Sequence, residues 1–315
     1  FTMRLRVAYM GTPQIACPSL EALNKIDDYD VVGVFTQPDR PTGRGKKIQS
    51  SAIKHLAQSL GLNVFQPISL KSAAIEQTIS SLDLDLIVVM AYGRILPQKV
   101  LDLPRFGALN IHASILPRHR GAAPIQWAII DGDNETGVSL MKMDAGMDTG
   151  DVISTMAIPI EETDSAVELT KRISHLGASI LERDLSKYIS GELIPQRQNE
   201  SLATYASKIG KENGLIDWAM SALSIHRRLR AFNPWPSIYT HLPNDSNHII
   251  KIACAEIVDL KGQPGSVIHI DKNGIVIGCG EKSLLVTQVQ RQGARQLPVS
   301  DFLNGYPLVV GDIFA

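Results

Sequence analysis

Cysteine, aromatic residues, long apolar runs and surplus charge are all scarce in this chain of 315 residues, and each scarcity removes a class of protein. The three cysteines, Cys17, Cys254 and Cys279, are scattered, odd in number and free of any Cys-x-x-Cys spacing. A disulfide framework or a cysteine zinc site does not fit that pattern, and a reducing, cytoplasmic compartment does. The longest apolar runs, such as Leu86 to Met90 and Ile275 to Ile277, fall far short of the roughly 18 residues that a membrane span needs. The N-terminus does not read as a signal peptide; Met3 reads as the natural start and Phe1-Thr2 as an added remnant. Charge is balanced, with 31 basic and 32 acidic side chains and a net charge of -1. That excludes a histone-like polycation and leaves room for a local basic patch.

What is present is an ordinary globular composition, 44% hydrophobic and 20% charged. At about 150 residues per domain the length suggests two domains. In the first half, short apolar runs alternate with helical stretches. Leu5 to Met10, Val31 to Thr36, Leu86 to Tyr92 and Gly107 to His112 read as strands. Pro18 to Asn24, Ser51 to Leu60, Ala73 to Leu82 and Pro124 to Ile130 read as helices. That alternation predicts a Rossmann-like α/β domain, a parallel sheet with helices on both faces. Thr136 to Met143 reads as a further strand of that parallel sheet, and Gly150 to Ile160 as a hairpin extension. Ser165 and Glu168 have capping-box spacing, and Leu169, Ile173, Leu176 and Ile180 then recur at helical spacing until Gly191.

Glu192 to Ser207 is polar, carries Pro195 and reads as a linker. Beyond it, after a helix over Ala222 to Ala231, five short β-rich runs follow at regular spacing, with a hairpin signal at Asn273-Gly274. They predict a small OB-like β-barrel. The division is therefore residues 3–191, a linker at 192–207, and a barrel domain at 208–315. Residues 1–207 carry 20 basic and 23 acidic side chains, and residues 208–315 carry 11 and 9. The sharpest basic cluster is Arg40, Arg44, Lys46 and Lys47.

Asn110 and His112 carry the first chemical signal. Residues i and i+2 of a strand project to one face, and open α/β sheets bind ligands beyond the carboxyl ends of their strands. An amide beside an imidazole there can polarise a carbonyl and hold an oxyanion. Alone, the pair also fits a capping asparagine and a satisfied buried histidine. Met143-Asp-Ala-Gly-Met-Asp-Thr-Gly-Asp151 adds a tight acidic loop, read as standing at another strand's carboxyl end. A carboxylate delivered there can orient a histidine and let it carry protons near neutrality. Asp144, Asp148 and Asp151 are all candidates by spacing. Their intervals do not match an EF-hand, and no metal site is expected. Gly43-Arg-Gly-Lys-Lys47 lacks P-loop spacing, and Gly11-Thr-Pro13 lacks the further glycines of a dinucleotide fingerprint.

Asn110-Ile-His-Ala-Ser-Ile-Leu-Pro117, followed by Asp148-Thr-Gly150, resembles the 10-formyltetrahydrofolate-dependent formyltransferases. The family has Leu where this chain has Ile115, a volume-conserving change. The resemblance implies that Asn110, His112 and Asp148 are catalytic, and it singles out Asp148 from its neighbours. It further implies that Val89, Tyr92, Ser114, Ile115, Leu116 and Pro117 line a folate site. Val34 to Lys47, Val89 to Gly93, Pro117 to Gln126, Ile216 to Trp218 and Ala231 to Pro236 resemble the branch of the family that formylates methionyl-initiator tRNA. For that branch the four cations at Arg40, Arg44, Lys46 and Lys47 would meet acceptor-end phosphates. The implied partners are initiator methionyl-tRNA and folate, with no membrane, and a monomer is expected. The nearest rivals use the same triad on a nucleotide-sugar amine, on glycinamide ribonucleotide or on water. More distant ones are a non-catalytic RNA-binding module and a nucleotide-dependent oxidoreductase. Trp127, Trp218 and Trp235 read as packing residues.

Overall fold

A computed structural model of the chain describes residues 4–42, 47–243 and 245–315. The alternation seen in the sequence becomes β1 (Leu5–Gly11), α1 (Cys17–Lys25), β2 (Tyr29–Phe35), a short hairpin of β3 (Arg40–Thr42) and β4 (Lys47–Gln49), α2 (Ala52–Ser59), β5 (Val64–Phe65), α3 (Ala73–Ser81), β6 (Leu86–Met90), α4 (Gln98–Leu101) and β7 (Ala108–His112). Then come β8 (Arg120–Gly121), α5 (Pro124–Asp131), β9 (Glu135–Lys142), β10 (Val152–Pro159), the long α6 (Ala166–Ile189) and β11 (Tyr205–Ala206). The chain divides into two units. The first comprises Phe1–Pro124, Glu135–Pro159 and Leu169–Ala206; the second comprises Ile125–Asn134, Ile160–Glu168 and Ser207–Ala315.

The main sheet of the first unit has the order β10-β9-β7-β6-β1-β2-β5 among the described residues. Five strands, β5, β2, β1, β6 and β7, run parallel. Every residue of β6 is buried, as its unbroken apolar run requires of a central parallel strand. One face packs on a cluster that includes Phe35, Ile79, Ile87, Leu96 and Val100. On the other face α6 comes so close that a Cβ built on Gly177 would lie 3.1 Å from Met90 Cε. Strand order reverses between β1 and β6, which makes their carboxyl ends the switch point where such sheets bind ligands.

One expectation is corrected. The strand at 135–142 is not parallel: β9 runs antiparallel to β7, with Asn110 opposite Met141 and His112 opposite Ser139. Its carboxyl end, Lys142, therefore stands beside Leu109, near the start of β7 rather than its end. Hydrophobic patterning fixes that a segment is a strand and which face it buries, but not its direction. β10 extends the sheet as the anticipated antiparallel partner of β9.

Ser165 and Glu168 form the anticipated cap: the Ser165 amide donates to the Glu168 carboxylate at 3.2 Å. Residues 192–206, polar in sequence, are folded onto the first unit. The amides of Val152 and Gln196 each donate to the other's carbonyl at 2.8 Å, and β11 pairs in parallel with β8.

The second unit adds α7 (Ala222–Ala231), β12 (Ile238–Leu242), β13 (Asp245–Val258), β14 (Val267–Asp271), β15 (Gly274–Gly278), β16 (Ser283–Arg291), β17 (Gln296–Pro298) and α8 (Val299–Gly305). These strands form the anticipated antiparallel sheet, in the order β12-β13-β16-β15-β14 with β17 on β16. The meander β14-β15-β16 returning to β13 is a Greek-key arrangement. Ile252, Ile277, Val286, Val289 and Phe302 fill its interior. Trp218 packs there, with its indole N–H on Thr240 Oγ1 at 3.1 Å, and the Trp127 indole donates to the Ser207 carbonyl at 2.9 Å. Trp235 departs from its expected packing role and is 53% exposed.

Ile87 is fully buried in β6, whereas Ile48 in β4 is 74% exposed. Ile87→Ala should therefore cost about 2–5 kcal/mol in urea unfolding, and Ile48→Ala no more than about 0.5 kcal/mol.

Candidate active site

β7 positions the first two functional side chains. Asn110 and His112 share a face, and both reach the same carboxylate oxygen. Asn110 Nδ2 lies 3.4 Å from Asp148 Oδ1, and His112 Nδ1 lies 3.6 Å from it. His112 is 6% exposed. Its other ring nitrogen, Nε2, is 2.9 Å from the carbonyl oxygen of His119. A carbonyl only accepts, so Nε2 carries a proton and Nδ1 is left as the atom that faces Asp148. A proton taken up at Nδ1 produces an imidazolium held between a carbonyl and a carboxylate.

Asp148 arrives by a detour. β9 ends at the wrong end of β7, so the loop that follows must fold back along the sheet to reach Asn110 and His112. Asp148 takes φ +56° to do so, a left-handed conformation uncommon outside glycine but tolerated by Asp and Asn. Its Oδ2 accepts the Gly121 amide N–H at 2.8 Å, which leaves Oδ1 for the asparagine and the histidine. The neighbouring acids do other work. Asp144 closes the loop on itself, accepting from the Gly146 amide at 3.0 Å and from Thr149 Oγ1 at 2.8 Å. Asp151 is exposed, and its carbonyl accepts from the Lys142 amide at 2.9 Å. Of the three candidates, Asp148 is the one brought to His112.

The segment after β7 is fixed by polar contacts. Ser114 Oγ donates to the Arg118 carbonyl at 2.6 Å, and Ser139 Oγ receives the Leu116 amide at 3.0 Å and donates to the Ser114 carbonyl at 2.7 Å. Ser114 and Leu116 are buried, while Ile115 and Pro117 are half-buried. Val89 pairs in register with Asn110 on the neighbouring strand. Its side chain and that of Tyr92 lie in the apolar cluster beneath. The Tyr92 hydroxyl is buried with no partner among the described residues, and burial pushes its pKa up.

Of the proposed tRNA contacts, Arg40 is exposed at the start of β3 and Lys47 opens β4. Arg44 and Lys46 lie outside the described residues, as does the Lys47 side chain. The hairpin is rooted on Asp39, which pairs with Lys54 Nζ at 2.6 Å and accepts from Gln66 Nε2 at 2.7 Å. Lys54 holds the Asp39 carboxyl below the usual range. Burial pushes the Cys17 and Cys279 thiols up to about 11, unlike activated nucleophiles. Among the described residues no group of three His, Cys, Asp or Glu could hold a metal ion, and no helix is long and apolar enough to cross a membrane.

Three residues that sequence reading missed complete the site: Gly121, Arg120 and Gln198. Gly121 has φ +117°, and a Cβ there would stand 2.7 Å from the Ala206 carbonyl oxygen. Arg120 is fully buried and pairs with Glu200 at 2.8 Å. The pair holds the Glu200 carboxyl below its ordinary range, so its stabilisation is present at neutral pH and is lost as pH falls through that lowered value. A tight Arg-Gly step in Pro117-Arg-His-Arg-Gly121 is the only sequence hint of this support.

Comparison with known proteins identifies the family of the whole chain. The family profile described as formyl transferase matches residues 3–185, and that of the formyl transferase C-terminal domain matches residues 208–307. A methionyl-tRNA formyltransferase from Geobacter sulfurreducens is 42% identical over 307 residues, covering 98% of this chain and 96% of that protein. One from Aromatoleum aromaticum is 46% identical over 310 residues, covering 98% and 97%. The chain belongs to the formyl transferase family. Among solved structures, an N-formyltransferase from Helicobacter canadensis, in complex with folinic acid and dTDP-3-aminofucose, superposes with a TM-score of 0.66 at 21% identity, covering 92% of this chain and all of that one. HypX from Aquifex aeolicus in complex with tetrahydrofolic acid gives a TM-score of 0.62 at 17% identity. The present chain spans 51% of that longer protein.

Because Gly121 has a positive φ and no room for a Cβ, Gly121→Ala should destabilise the chain by about 1–3 kcal/mol. Chemical denaturation measures this; an unchanged midpoint would contradict the close approach.

Proposed function

We propose that this chain transfers the formyl group of 10-formyltetrahydrofolate to the α-amino group of methionyl-initiator tRNA. The carrying observation is the convergence of Asn110 and His112 on Asp148 Oδ1. Identities of 41–46% over nearly the whole chain to methionyl-tRNA formyltransferases support the choice of acceptor. The donor set fits the reaction: one amide N–H, one imidazole and one carboxylate suit a carbonyl oxygen that gains charge and an amine that loses a proton. The folate supplies an activated formyl group on nitrogen. As the amine adds to the formyl carbon, the Asn110 amide donates to the oxygen that becomes negative. His112 exchanges a proton through Nδ1, the nitrogen its carbonyl contact leaves free. Asp148 stabilises the imidazolium and passes the proton toward the departing folate nitrogen, directly or through water. Val89, Tyr92 and Ser114 to Pro117 are assigned to the folate site.

Residues 3–191 form the catalytic domain in this reading, 192–207 the connection and 208–315 a tRNA-binding domain. Arg40, Arg44, Lys46 and Lys47 contact acceptor-end phosphates, and the enzyme works as a cytoplasmic monomer.

Formylation of charged tRNA by purified variants tests the reading. Asn110→Ala should lose about 10²–10³ in kcat, and His112→Ala and Asp148→Ala about 10²–10⁴, all with the parent's melting temperature. Arg44→Ala should weaken tRNA use, most strongly at low salt. Near-parental rates in the triad variants, or preference for a nucleotide-sugar amine over charged initiator tRNA, would overturn it.

A further inference from the structure

We propose that Gln198, gripped by the buried Arg120, is a positioning residue that fixes Asp148 in its reacting geometry. The inference rests on the catalytic reading of Asp148 given above.

Asp148 needs external support. It sits in a left-handed conformation, at the end of a loop that has doubled back from the far end of β7. The Gly121 contact secures one carboxylate oxygen but does not set the main chain that carries it. Gln198 does. Both hydrogens of its amide are spent on this turn: Nε2 donates to the Asp148 carbonyl at 2.9 Å and to the Gly150 carbonyl at 2.7 Å. One side chain thus spans the turn on either side of Thr149.

The orientation of that amide is not left to chance. Gln198 Oε1 accepts from Arg120 Nε at 3.1 Å and from Nη2 at 2.9 Å. A guanidinium can only donate, so the oxygen must face Arg120 and the NH₂ must face the two carbonyls. The arginine charge also polarises the amide, which strengthens its donation. Arg120 is 0% exposed and Gln198 7%. Burial of that charge is made tolerable by Glu200, which binds Nη1 at 2.9 Å and Nη2 at 2.8 Å and is itself 60% exposed. The order from surface to site is carboxylate, guanidinium, amide, turn. Arg120 is also the residue before Gly121, so two consecutive residues of β8 secure Asp148: one through its main-chain carbonyl by way of Gln198, the other through its carboxylate. A buried arginine that merely satisfied itself would not account for both amide hydrogens falling on the turn that carries the acid.

Gln198→Glu isolates donation from packing. It keeps the side chain's length and its partner Arg120 but presents lone pairs to the two carbonyls. Gln198→Met keeps the volume and removes all four hydrogen bonds, the two to the carbonyls and the two from Arg120. Each is assayed for formylation of charged initiator tRNA beside the parent, Asp148→Ala and the Asp148→Ala/Gln198→Glu double variant, with thermal melting recorded for all. We expect kcat to fall by about 10- to 100-fold in both single variants, the size of effect that a misplacement near 1 Å produces. KM for folate and for tRNA should stay within about twofold of the parent. The pH–rate profile should change shape, and no loss should add to that of Asp148→Ala. A folded Gln198→Glu with parental kcat, a change confined to KM, or losses that multiply with Asp148→Ala would overturn the proposal. If Gln198→Glu melts below the assay temperature, Gln198→Met decides by the same criteria. Parental turnover by Asp148→Ala would instead bring down the catalytic reading itself.

Discussion

The 2.8 Å contact between the Gly121 amide and the Asp148 carboxylate is the constraint on which the site depends. It exists because of a reversal in the sheet. β9 runs against β7, so the chain leaves the sheet beside Leu109 and must turn back to bring a carboxylate to His112. The return is stable because β8 waits at the other end, braced by its parallel pairing with β11 and with no relaxed space for a side chain at Gly121. A carboxylate that accepts a main-chain N–H is fixed in rotamer as well as in place, and its remaining oxygen is then aimed by the backbone.

The electrostatics follow from that placement. Asp148 Oδ1 faces both the amide of Asn110 and the free nitrogen of His112. The histidine is clamped on its far side by the His119 carbonyl, so proton traffic is confined to one ring nitrogen. Folding supplies this arrangement before substrate arrives, which is how an electrostatic site avoids reorganising during reaction.

The parts written in local pattern were legible. The unbroken apolar run of β6, the capping pair Ser165 and Glu168, the Asn273-Gly274 turn and the shared face of Asn110 and His112 all follow from neighbouring residues. Strand direction did not, because a buried strand reads the same both ways, and so the route to Asp148 was misplaced. Spacing left Asp144, Asp148 and Asp151 equivalent; only family resemblance singled out one of them. The β3–β4 hairpin was hidden by Pro41 and the glycines that follow. The support formed by Arg120, Gln198 and Glu200 was invisible for another reason: Arg120 stands 78 residues from Gln198 and 80 from Glu200, and nothing in a polar stretch rich in Gln, Asn and Glu distinguishes a buried amide from a solvated one. The overall charge of -1 was equally silent about where charge matters.

Shared contact with one carboxylate oxygen makes Asn110, His112 and Asp148 act as one unit rather than as separate contributors. Single-turnover formyl transfer to charged initiator tRNA, compared among the parent, His112→Ala, Asp148→Ala and the double variant, tests this most directly. The double variant should be no slower than the slower single variant, because removing either member already disables the proton path. Losses that multiply in the double variant would show two independent contributions and contradict it.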